Sequence, residues 1–277
     1  MTPNPIPRVR AFAVGLLLAC AAAAQPPAPA PAPAPAPIAP DPALPERLKE
    51  LKTLVGDAKM RDDFQAVSLI QLLATDPDKK ADKDREKLAK AFGEVLRVAK
   101  VRPAGQDMIY REAADGLAKL GTDGSKELAK AVVDKRFDEN LPLRQHLILA
   151  LGRTEDEKQI EWLLDTTTRS HHDELRAVAA EALCSYKAMD QKLRRDVVKQ
   201  IVRTWGSLHE QATTLPSTDP NAPIPIQPQN ARETLRHVEG KWVRLLQHLT
   251  GQSQTAFPDW QRWLNKNSNW TPTGTQK

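Results

Sequence analysis

Internal self-similarity constrains this chain more than any other feature. Ala113 to Gly121 (AADGLAKLG), Arg144 to Gly152 (RQHLILALG) and Arg176 to Cys184 (RAVAAEALC) align so that Leu120, Leu151 and Leu183 coincide, at spacings of 31 and then 32 residues. Each copy is followed by a short polar interval and a second amphipathic stretch: Leu128 to Val133, Ile160 to Leu164, and Leu193 to Trp205. A helix-turn-helix unit of that size cannot bury its apolar stripe alone and must share it with its neighbours. The pattern therefore predicts tandem helical hairpins stacked in sequence order.

The rest of the chain beyond Pro42 agrees. Runs of alternating β-branched residues are absent, and apolar residues recur three and four apart, as in Leu48, Leu51 and Val55, or Leu88, Phe92, Val95 and Leu96. Punctuation divides these stretches: Thr154 with Glu157 reads as a capping box, and Asp76-Pro77 and Phe257-Pro258 place Pro at helix starts. The predicted fold class is all-α, an α-solenoid of antiparallel helix pairs over residues 43–212. A Pro-rich loop is expected at 213–229, capping helices at 230–267 and a disordered tail at 268–277. In the capping region Leu235, Val238, Trp242, Leu245 and Leu249 form one stripe, and Trp260 and Trp263 can close over its end.

The pattern Leu-Arg-x-x-Ala-x-x-Ala-Leu-Gly resembles the first helix of a HEAT repeat. Leu175-Arg176 through Ala179, Ala182 and Leu183 matches it best, followed by Leu143-Arg144 through Ala150, Leu151 and Gly152; the copy at 113–121 lacks the opening Leu-Arg. The ending Leu246 to Gly251 (LQHLTG) with Trp260-Gln261-Arg262-Trp263 is similar to that of exported bacterial HEAT-repeat proteins. The resemblance implies a solenoid and carries no activity with it.

At the N-terminus, Arg8 and Arg10 precede an apolar stretch from Ala11 to Ala24, the layout of a secretory signal. Leu17-Leu18-Ala19-Cys20 resembles the lipobox of bacterial lipoproteins, which implies acylation of Cys20; cleavage after Ala22-Ala23-Ala24 is the alternative. Residues 25–42 are almost only Pro and Ala, a composition suited to an extended polyproline II tether. These features predict an exported protein, periplasmic or membrane-anchored as a lipoprotein.

No catalytic, cofactor or metal constellation is expected. His171-His172-Asp173 has no second cluster at ligand spacing, and Asp173 suits a helix cap. Gly121 to Lys126 has the wrong order for a phosphate loop and reads as a turn capped by Asp123 or Ser125. Cys184 stands where the repeats carry Gly, and reads as a small buried apolar residue. Arg144 and Arg176, at equivalent repeat positions, are the candidate partner-binding residues: a basic ladder for acidic side chains of a partner, or internal ion pairs. The net charge of +5 falls to +3 without Arg8 and Arg10, too little to point to nucleic acid. Within it, residues 232–277 hold seven basic residues and three acids, interleaved with Trp242, Trp260, Trp263 and Trp270. The expected role is a non-enzymatic scaffold for a protein partner. The alternatives are a HEAT-like enzyme of bilin lyase or DNA glycosylase type and a polyanion or cell-wall binder.

Overall fold

The computed structural model describes residues 38–57, 59–98, 100–214 and 226–271. The expected signal, the lipobox-like motif ending at Cys20 and the Pro/Ala stretch as far as residue 37 lie outside the described residues. Among the described residues there are eleven α-helices and no strand. They are α1 (Leu44–Val55), α2 (Asp63–Leu73), α3 (Asp82–Leu96), α4 (Met108–Lys119), α5 (Thr122–Val132), α6 (Leu141–Arg153), α7 (Ile160–Arg169), α8 (Asp173–Leu183), α9 (Gln191–Thr213), α10 (Ile226–Thr250) and α11 (Phe257–Lys266).

The helices alternate between two layers. In the even layer α2 packs on α4, α4 on α6, α6 on α8 and α8 on α10. In the odd layer α1 packs on α3, α3 on α5, α7 on α9 and α9 on α11. Each odd helix through α9 also packs on the even helix that follows it. This is the neighbour-on-neighbour order of an α-solenoid, and it extends past the three self-similar copies to α1–α3 on one side and α10–α11 on the other.

The repeat positions explain the stacking. Leu117, Leu147, Leu151 and Leu183 are fully buried, and Ala113, Ala150, Ala179 and Ala182 let the even helices approach closely. At Gly152 a Cβ would stand 2.6 Å from the carbonyl oxygen of Ala182, so α6 and α8 meet at a distance only glycine allows. Gly121 has φ +61 and turns the chain from α4 into α5, which a β-carbon would strain. Truncating one of the buried leucines to Ala would cost about 2–5 kcal/mol.

Five local readings are corrected. Thr154 is not the N-cap of a capping box. It ends α6, its hydroxyl donates to the Leu151 carbonyl at 2.7 Å, and Asp156 caps the following 3-10 turn by accepting from Lys158 N. Gly121, not Asp123 or Ser125, is the N-cap of α5, and Asp173 lies inside the first turn of α8 after the cap His172. The Pro-rich loop is shorter than 213–229: α9 runs to Thr213 and α10 begins at Ile226. Pro228 fits in that first turn because helix-start N–H groups have no intrahelical acceptor. Finally, Trp270 does not belong to a disordered tail. It is buried beside Trp263, at 5.5 Å between ring centroids, and its carbonyl accepts from Gln191 Nε2 and Arg195 Nε.

The C-terminal helices close the stack through an aromatic chain. Trp205 of α9 meets Trp242 of α10 at 6.4 Å and Phe257 of α11 at 5.7 Å, while Trp260 meets Trp263 at 5.8 Å. Burial of these rings supplies the apolar area that a terminal repeat would otherwise expose.

Candidate partner-binding surfaces

The two candidate arginines point inward. Arg176 on α8 is 14 % exposed; its guanidinium donates to the Thr168 carbonyl at 2.8 Å and stands 3.6 Å from Asp173. Burial lowers its pKa against the pull of Asp173. Arg144 on α6 is 20 % exposed and lies 3.3 Å from Asp138. Arg144 reaches Asp138 ahead of its own helix, while Arg176 reaches Thr168 near the end of α7 and Asp173 at the start of α8, so both make the internal contacts of the second reading. The sequence placed them at equivalent sites correctly but could not tell which way they face.

A different set of polar groups links successive repeats. Asp107 accepts from Asn140 Nδ2 at 2.9 Å and from Arg111, Asp115 accepts from Arg153 and pairs with His146, and Asp156 accepts from the Ser125 hydroxyl. Further along, the Thr234 hydroxyl donates to Asp173 at 2.9 Å and Lys241 donates to Glu181. Burial opposes the charge on Asp107, Asp115 and Asp156, yet the donors outweigh it and all three carboxyls titrate below their usual range. The signal was present in the sequence: Asp115 and His146, like Ser125 and Asp156, stand one period apart.

The remaining sequence candidates stay apart. His171 and His172 are exposed, and no metal-binding group of His, Cys, Asp or Glu occurs among the described residues. The Cys184 thiol donates to the Ala180 carbonyl at 3.4 Å, and burial pushes its pKa up to about 11. Three of the four C-terminal indoles, Trp242, Trp260 and Trp270, are buried, so they offer no open platform for stacking bases.

What the odd layer does present is grooves. One of about 360 Å³ lies between α1 and α3, floored by Leu51, Val55 and Val95. A second of about 490 Å³ lies between α7 and α9, beside Trp162 and Asp196. The third, about 760 Å³, runs between α9 and α11 over Val202, Gly206 and Phe257. Clefts of this size can receive side chains or short segments of a partner.

Residues 100–184 match the family model for HEAT repeats, a span that takes in α4 through α8. No curated protein and no solved structure matches the chain.

Proposed function

We propose that the protein is a non-enzymatic scaffold of the bacterial cell envelope, exported, tethered through acylated Cys20, and built to hold a protein partner. The observation that carries this reading is the stack itself. HEAT-type repeats over residues 100–184 lie within a longer two-layer run of helices, and such runs expose long faces that suit extended contacts with another macromolecule. The leader Arg8 to Ala24, the Leu17 to Cys20 motif and the Pro/Ala stretch support the location, since an acyl group, a stiff spacer and a folded body make physical sense in that order.

Crosslinking in intact cells, followed by capture of the tagged protein, tests the scaffold role. A specific protein adduct above that of a tagged unrelated envelope protein is expected, and no adduct above that control would end the proposal. Fractionation of cells making the wild type or Cys20→Ser tests the anchor. Membrane association of the wild type and release of the variant are expected; equal solubility of the two would remove the lipid anchor.

A further inference from the structure

We infer that the groove between α9 and α11 is the docking site for an acidic peptide segment of the protein partner, an inference that rests on the scaffold reading above. One wall of the groove presents Lys199 and Arg203, one helical turn apart on α9 and both exposed. Among the described residues neither has an ion-pair partner, whereas Arg97, Arg102 and Arg136 are each matched to a carboxylate. Two unmatched cations on the same wall attract carboxylates, and they do so best where a concave surface limits competing water.

The facing wall is uncharged. Gln261 and Asn265 of α11 expose their side-chain amides there, and an amide both donates and accepts. That is the pairing a peptide main chain needs, with its alternating N–H and C=O groups. The floor is formed by Val202, Phe257 and Leu264, and its depth depends on Gly206, where a Cβ would stand 3.0 Å from the Phe257 ring.

Charge is graded along the cleft. The acid in its lining, Glu210, sits seven residues beyond Arg203, roughly 10 Å along the helix axis. Asp196, three residues before Lys199, lines the neighbouring α7–α9 groove instead. The Lys199–Arg203 half therefore receives carboxylates, and the Glu210 half does not. Phe257 lies beneath at 8 % exposure, so neither a base nor a sugar ring finds an open Phe or Trp face in this cleft.

Fluorescence anisotropy on the full chain with a labelled octaglutamate peptide tests the assignment, with polygalacturonate and a single-stranded oligonucleotide as competing polyanions. Expected are peptide binding that weakens with added salt and a loss on the order of tenfold in Lys199→Glu/Arg203→Glu. Gln261→Ala/Asn265→Ala should weaken binding without changing the salt dependence. Unchanged melting of the charge-reversed protein keeps the result interpretable; if melting shifts, Lys199→Gln/Arg203→Gln serves in its place. Peptide affinity untouched by these substitutions, or tighter binding of polygalacturonate or oligonucleotide than of peptide, would overturn the inference. If wild type and the double variant capture the same crosslinked protein equally, the groove assignment fails while the scaffold reading stands. If wild type captures none, the scaffold reading fails whatever the peptide does.

Discussion

His146 Nε2 on α6 stands 3.0 Å from the Asp115 carboxylate on α4, 31 residues earlier and one repeat away. Arg153 donates to the same carboxylate. Burial works against the charge on Asp115, but these two donors prevail and hold its pKa below the ordinary 3.8. A carboxyl whose folded pKa is depressed contributes stability above its unfolded pKa and loses that contribution as pH falls through the lower folded value. Asp115→Asn should therefore cost about 1 kcal/mol near pH 7, and the cost should shrink as pH falls below the ordinary carboxylate range and through the lowered folded pKa. Urea denaturation of both proteins across that range measures it; an equal cost at both ends would show that the charge is not the source.

The contact between α6 and α8 makes a second prediction. Gly152→Ala puts a methyl 2.6 Å from the Ala182 carbonyl oxygen and 2.7 Å from its Cβ, so the helices must part. Overpacking of this kind costs about 1–3 kcal/mol. Adding Ala182→Gly removes the second clash but leaves the backbone oxygen in place, so the double variant should recover only part of the loss. Full recovery in thermal melts would mean that side-chain crowding alone sets the spacing.

The stack was legible in the sequence because Leu120, Leu151 and Leu183 repeat at nearly constant spacing, and the same leucines are buried. The hairpins at 108–205 follow from that period, and the aromatic closure by Trp260 and Trp263 follows from a stripe on one helix. Orientation was not legible. Arg144 and Arg176 were visible as equivalents, but whether a long side chain lies along its helix or reaches back over the preceding turn depends on neighbours that no local pattern records. Caps failed for a related reason: the Thr154 hydroxyl donates back to Leu151 O and so closes the end of α6 rather than opening the next helix. The α9–α11 groove was not legible either, because its two walls lie about 60 residues apart, across a Pro-rich connection with no shared periodicity.

The inward course of Arg176 sets its response to truncation apart from that of Arg144. Arg176→Ala leaves the Thr168 carbonyl without its donor and empties a mostly buried position, so a loss of about 1–2 kcal/mol is expected. Arg144→Ala breaks a pair whose acid, Asp138, is 55 % exposed, and should cost less than about 1 kcal/mol. Chemical denaturation of the two variants side by side checks the order; a larger loss for Arg144→Ala would reverse the structural ranking of the two sites.

Cys184 closes its repeat where the copy at 144–152 has glycine, and its thiol is turned back onto the Ala180 carbonyl. Burial raises its pKa from 9.0 to about 11, with the Glu181 charge adding to the effect, so at neutral pH its thiolate is about a hundredfold scarcer than that of an ordinary cysteine. Because the thiolate is the reacting species, iodoacetamide should modify the native protein at least a hundredfold more slowly than the urea-unfolded chain. Mass spectrometry of the Cys184 peptide over time measures both rates. Comparable rates would require the α8 end to open readily, which its packing against α6 and α10 opposes.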